Sequence, residues 1–187
     1  MKFFSCLPSQ QIRGIVVLVF AVCCPVVHAQ DSSLLGIEEV PGVFDLHWCE
    51  EKSLGVRLLC DKKWKQDIGK NAILFTIHED PAVLLTVIRT HEVVTGLDEL
   101  TAERVKKLGQ YADGFTMESL TIGEDKAIKV QGASVEYPEL RLLDLYVIHD
   151  YQLYGFLFSV NPKEEWPNYA VLFSKIMESI KFLNDKT

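Results

Sequence analysis

Three pairs of strand-like segments, each folded around a short turn signal, do most to limit what this 187-residue chain can become. Ala72 to His78 and Val83 to Val94 are rich in β-branched and aromatic residues and flank Glu79-Asp80-Pro81, so they are expected to pair as a hairpin. Thr116 to Ile122 and Lys126 to Gly132 meet across Gly123-Glu124-Asp125 in the same way. Leu140 to Ile148 and Leu153 to Val160 meet across His149-Asp150-Tyr151-Gln152. A fourth hairpin is expected earlier. Phe44-Asp45-Leu46-His47-Trp48 alternates, and Gly55 to Cys60 runs back from the turn-like Ser53-Leu54-Gly55, with Asp61-Lys62-Lys63-Trp64 as a connection.

Between these strands the period changes. Leu97, Leu100, Arg104/Val105, Leu108 and Tyr111 recur at helical steps, with Thr95 and Asp98 forming a cap and Gly109 and Gly114 ending the helix. Near the end, Asn161-Pro162-Lys163-Glu164 reads as a helix start, with Asn as the cap and Pro at the first position. Pro167 is expected to separate a first irregular turn from the helix proper. Tyr169/Ala170, Phe173, Ile176/Met177 and Ile180 give that helix one apolar stripe. Antiparallel hairpins with two long helices predict an α+β layer fold, an antiparallel sheet sandwiched between helices.

The N-terminal stretch predicts the compartment. Lys2 and Arg13 precede an apolar run from Ile15 to Val27, and Val27-His28-Ala29 presents a small-x-small end before Gln30. That is the pattern of a secretory signal, so residues 1–29 are expected to be removed. The run is broken by Pro25 and is shorter than the roughly 20 apolar residues a spanning helix needs. Val22 before Cys23 is a poor match to a lipid-attachment site, and Cys23 and Cys24 read as apolar filler.

Without the signal the chain has 158 residues, enough for one domain with its own core. Residues 30–42 form an acidic lead, and residues 43–184 the domain. The full chain has 19 Lys+Arg against 26 Asp+Glu; loss of Lys2 and Arg13 leaves 17 against 26, a net charge of −9. Such a field repels phosphate backbones and anionic head groups, which disfavours nucleic acid and membrane surfaces as partners.

Three of the five cysteines leave with the signal. Cys49 and Cys60 remain, and in an oxidising compartment an isolated pair is most simply a disulfide. A hairpin centred near Ser53-Leu54-Gly55 would set the two opposite each other. A zinc half-site is the alternative, and it lacks a second cysteine pair to complete it.

Several segments resemble those of PsbP-like domains. Leu54-Gly55-Val56-Arg57-Leu58-Leu59 leading into Asp61-Lys62-Lys63-Trp64-Lys65 is similar to their opening strand and its terminal tryptophan. Thr121-Ile122-Gly123-Glu124-Asp125-Lys126-Ala127 resembles their central hairpin. Leu153 to Asn161 and a helix ending Met177-Glu178-Ser179-Ile180-Lys181-Phe182 resemble their closing strand and helix, with a Ser-apolar-x-Phe tail. The similarity runs from Asp45 to Leu183. It implies an antiparallel sheet between helices and a domain that binds other proteins rather than catalysing a reaction. The superfamily includes lumenal photosystem II subunits, a nuclear Ran-binding protein and bacterial periplasmic lipoproteins. The acidic lead here departs from the basic docking segment of the plant subunits, and the leader carries no twin arginine. A bacterial extracytoplasmic relative, periplasmic or secreted, is the expectation.

Catalytic signatures do not appear. His91-Glu92-Val93-Val94-Thr95 starts like a zinc-protease helix but has Thr where the second His must stand. There is no Gly-x-Ser-x-Gly elbow, and Gly109 to Gly114 is followed by Phe115-Thr116 rather than the Lys-Ser/Thr of a phosphate loop. The chain is therefore expected not to be an enzyme. Two other sites are expected from the residues. His78, Asp80, His149 and Asp150 lie at predicted turns where imidazole and carboxylate could hold a divalent metal as cofactor. Lys62, Lys63, Trp64 and Lys65 make a basic, aromatic spot that could dock an acidic extracytoplasmic protein.

Overall fold

The computed structural model describes residues 44–94, 96, 99–100, 105 and 111–183, all within one compact unit. Two antiparallel sheets and a C-terminal helix form an α+β fold. The larger sheet contains β3 (Lys65–Ile68), β4 (Ala72–His78), β5 (Ala82–Val93), β6 (Thr116–Ile122), β7 (Asp125–Ala133), β8 (Arg141–His149) and β9 (Gln152–Asn161). Its strand order is β3-β4-β5-β9-β8-β7-β6. The smaller sheet has β2 (Val56–Asp61) between β1 (Leu46–Glu51) and the two-residue β10 (Lys181–Phe182). A 3-10 turn, Lys163–Glu165, leads into α1, Trp166–Ser179.

All four expected hairpins form, but the first has a different register. Cys49 lies opposite Leu58 and Cys60 opposite His47, so the cysteines are diagonal neighbours rather than a facing pair. The chain turns through Glu51 to Gly55, with Leu54 N–H bonded to Glu51 O and Gly55 N–H to Lys52 O, and Gly55 takes the positive φ of +70° that closes the turn. The diagonal still permits the disulfide, because the Cα atoms are 5.9 Å apart and both side chains project from one face.

Lys65–Ile68 is a strand that its composition conceals. All four residues are exposed, so no apolar alternation marks it, and β4 recruits it as a charged edge. The start of the C-terminal helix is also corrected. Pro162, not Asn161, is the N-cap of the 3-10 turn, no side chain caps it, and Pro167 stands in the first turn of α1. Of the expected helix between Thr95 and Gly114, Val105 is α-helical and Glu99 is in a 3-10 turn, Tyr111 forms an antiparallel bridge to Ser134 instead of continuing the helix, and most of residues 95–110 lie outside the described residues.

The large sheet is buried on two faces by different partners. Odd-numbered residues of β4, β5, β7 and β8 and even-numbered residues of β9 face α1 and the small sheet. There Val83, Leu85, Val87, Phe156, Phe158 and Leu145 meet Leu58, Phe173 and Ile176. The opposite face carries Ile128, Val130, Tyr146 and Leu153 against Val94, Leu100, Val105 and Tyr111. The expected stripe is buried at Tyr169, Phe173, Ile176, Met177 and the C-cap Ile180, and Leu172 joins it.

Candidate functional site

The four residues expected to bind metal are not brought together. His78 and Asp80 belong to the β4–β5 turn, at the end of the large sheet where Ala82 pairs with Asn161. His149 and Asp150 belong to the β8–β9 turn, at the end where Val93 pairs with Gln152. The full length of β5 separates them, about 36 Å at about 3.3 Å per residue. His78 Nδ1 lies 3.2 Å from Pro81 O, inside its own turn. His149 is held as a structural group: Nδ1 is 2.9 Å from Asp125 Oδ2 on the neighbouring hairpin, and the ring stacks on Phe182.

The basic spot is split as well. Trp64 is buried, with its ring centroid 6.1 Å from Phe75 and 6.3 Å from Phe44, so it closes the core and cannot anchor a partner. Lys62, Lys63 and Lys65 remain exposed around it. Lys65 forms an ion pair with Glu79, which holds that carboxyl below the usual range. Asp61 accounts for the tight turn: Oδ1 accepts the Lys63 amide proton and Oδ2 that of Asp45, each at 2.9 Å.

A different aromatic residue carries the exposed position. Trp48 points outward from β1 and is 47% exposed. Its ring lies under the guanidinium of Arg57, 4.9 Å from the centroid, and the ammonium of Lys181 lies 5.2 Å away. The three-stranded sheet builds this arrangement, since Arg57 on the central strand pairs with Glu50 on one side and Lys181 on the other. Glu50 and Arg57 approach to 4.0 Å. Two cations over one indole restrict its motion and polarise the face around it. Read along the chain, Trp48 is one member of an alternating strand, and nothing marks it as exposed until Lys181 arrives from the other end of the sequence.

Two further groups escaped the sequence. His47 lies beside the disulfide, with Nε2 3.5 Å from Cys49 Sγ and 3.7 Å from Cys60 Sγ. On the second face of the large sheet, Asp144 is buried and accepts a hydrogen bond from Tyr146 Oη at 3.1 Å. Burial pushes the Asp144 carboxyl up to about 7, offset in part by the nearby tyrosine hydroxyls. Burial, and after it the negative charge of Asp144, push the Tyr111 hydroxyl well above its ordinary pKa, and that hydroxyl is buried without a hydrogen-bond partner.

Among the described residues no helix is long and apolar enough to cross a membrane. No family model matches the sequence, and no curated protein matches it. Solved structures do. Cyanobacterial PsbP (CyanoP) from Synechocystis sp. PCC 6803 is similar with a TM-score of 0.54 and 16% identity, covering 81% of this chain and 98% of that one. The Saccharomyces cerevisiae Ran-binding protein Mog1p is similar with a TM-score of 0.52 and 10% identity, covering 75% and 97%. LpqN, involved in cell envelope biogenesis of Mycobacterium tuberculosis, gives a TM-score of 0.50 and 11% identity, covering 68% and 83%. Strand order, closing helix and these likenesses together show an α+β fold like that of PsbP and Mog1p.

Proposed function

We propose that this chain is a non-catalytic accessory domain that works outside the cytoplasm and docks on a protein partner through the Trp48 face. The exposed indole beneath Arg57 and Lys181 carries the reading. Tryptophan and arginine are the residues on which binding energy concentrates, and a pre-ordered ring loses little freedom on contact. Two cations on a chain of net charge −9 without its leader select a partner segment that offers carboxylates beside an apolar side chain. The signal-like leader and the Cys49–Cys60 disulfide support an oxidising, extracytoplasmic setting. Among proteins of this fold, Mog1p is named for binding Ran and LpqN for a part in envelope biogenesis, and both descriptions suit an accessory role.

The test is a pull-down from the native envelope fraction, followed by direct titration of the recovered partner. Wild-type protein should retain one stable partner without turning over substrate. Trp48→Ala should weaken binding at least tenfold, and Lys181→Glu should slow association most at low salt. Undiminished binding by a folded Trp48→Ala protein would reject this face.

A further inference from the structure

His47, Cys49 and Cys60 sit on one face of the β1–β2 pair. His47 is directly opposite Cys60, while Cys49 is opposite Leu58, so the imidazole occupies the corner beside both sulfurs. Its Nε2 is 3.5 Å from Cys49 Sγ and 3.7 Å from Cys60 Sγ, and all three potential ligand atoms lie within 4.8 Å of one another. The other ring nitrogen, Nδ1, faces Asp45 O at 3.5 Å. A proton held on Nδ1 by that carbonyl leaves the Nε2 lone pair directed at the sulfurs, the arrangement by which backbone carbonyls orient metal-binding histidines.

The spacing fits one kind of ion. With Zn–S near 2.3 Å and Zn–N near 2.0–2.1 Å, the edges of a tetrahedral site are about 3.5 Å from nitrogen to sulfur and about 3.8 Å between sulfurs. Both nitrogen–sulfur separations already have that size. Only the sulfurs must part, and the Cα atoms, 5.9 Å apart, allow this by side-chain rotation. Cys60 is buried, whereas Cys49 and His47 are half-buried, which leaves one side of the site open.

We propose that reduction of the Cys49–Cys60 disulfide converts this corner into a binding site for one zinc ion, held by Cys49, Cys60 and His47 with a fourth position open. The reductant is a dithiol of the thiol–disulfide exchange class. Its thiolate attacks one sulfur and forms a mixed disulfide, and its second thiol resolves that bond. Two electrons and two protons pass to the cysteines while the dithiol becomes a disulfide. Zinc then displaces the two thiol protons, and the two thiolate charges balance the ion. Reoxidation by a disulfide of the same exchange class, which accepts the two electrons and leaves as a dithiol, rejoins the two sulfurs and releases the metal. The small sheet is thereby crosslinked in either state, by sulfur when oxidised and by metal when reduced. This inference stands apart from the docking face, because Trp48 points from the opposite side of β1.

Cobalt(II), a spectroscopic stand-in for zinc, tests it on residues 30–187, the chain without its leader, in which Cys49 and Cys60 are the two cysteines, reduced under anaerobic conditions. One equivalent should produce thiolate-to-cobalt charge transfer and the intense visible bands of a tetrahedral ion, and equimolar zinc should bleach both. The oxidised chain should give neither. His47→Ala should weaken cobalt binding at least tenfold and lower the visible intensity, and Cys49→Ser should remove most of the charge-transfer band. If reduction unfolds the chain, stoichiometric zinc should restore its far-ultraviolet dichroism. Absence of charge transfer in the reduced chain, failure of zinc to restore a lost fold, or wild-type cobalt affinity and spectrum in His47→Ala would each overturn the proposal.

Discussion

The hydroxyl of Ser179, at the end of α1, accepts the amide proton of Leu59 at 2.9 Å across 120 residues of sequence. β10 pairs with β2 at Lys181–Arg57 and Phe182–Val56, and two residues further the ladder would place residue 179 opposite Leu59. The helix has replaced the strand there, so a side-chain oxygen takes the place of a backbone carbonyl. The same hydroxyl donates to Ile176 O at 2.6 Å, which ties the last helical turn to the sheet. The serine of the Ser-apolar-x-Phe tail thus has a stated physical task. Its phenylalanine, Phe182, stacks on His149 with ring centroids 4.1 Å apart and planes 10° from parallel.

Ser179→Ala leaves the Leu59 amide without its partner in a half-buried site. An unsatisfied buried donor costs about 1–3 kcal/mol, and a domain of this size loses about 2–4 °C in Tm per kcal/mol. Thermal unfolding should therefore fall by several degrees, with Ser179→Thr recovering much of the loss. An unchanged Tm for the alanine variant would remove this bond from the stabilising set.

Gly132 on β7 has no room for a side chain. A Cβ there would lie 2.8 Å from Phe115 Cβ and 2.9 Å from Tyr111 Cδ1. Those rings are tilted 33° to each other with centroids 5.5 Å apart. Gly132→Ala should destabilise the domain by about 1–3 kcal/mol through overpacking, read as a lower urea midpoint at constant m-value. A neutral result would mean that Tyr111 and Phe115 withdraw freely.

Asp144 makes stability depend on pH with an unusual sign. Its folded-state pKa of about 7 lies above the ordinary carboxyl value of 3.8, so the folded protein holds a proton that the unfolded chain has lost. The favourable contribution is complete below pH 3.8 and declines as pH rises towards 7, at a slope approaching about 1.4 kcal/mol per pH unit. Other carboxyls superimpose their own trends, so the comparison is with Asp144→Asn. The stability difference, wild type minus variant, should fall between pH 4 and 7 and level off above; a flat difference across that range would refute a protonated Asp144.

The disulfide closes a loop across a sequence separation of 11 residues. Replacing both cysteines, Cys49→Ser with Cys60→Ser, should cost about 3 kcal/mol by the loop-entropy argument, or about 6–12 °C in Tm. Differential scanning calorimetry of the oxidised protein and the double variant provides the comparison, and equal transition temperatures would show that the small sheet needs no crosslink.

The hairpins, the α1 stripe and the α+β class were legible in sequence because each rests on local information: side-chain period, turn residues and β-branched content over fewer than twenty residues. Cys49 and Cys60 were legible as a pair because they are few. Their register was not, since a two-residue shift keeps every side chain on the same face and alternation does not record it. β3 was hidden because an exposed edge strand has no apolar period to show.

The sites failed for a related reason. His78-Asp80 and His149-Asp150 read alike as polar turns, yet whether two turns meet depends on strand order, and β5 holds these at opposite ends. Trp64 and Trp48 are both strand-associated tryptophans with lysine or arginine nearby; only packing against Phe44 and Phe75 buries the first, and only Lys181 arriving through β10 frames the second. Local chemistry determined which elements this chain forms and which faces they bury. Tertiary structure alone decided which polar groups became neighbours, because contacts between residues more than a hundred positions apart leave no trace in the period of either segment.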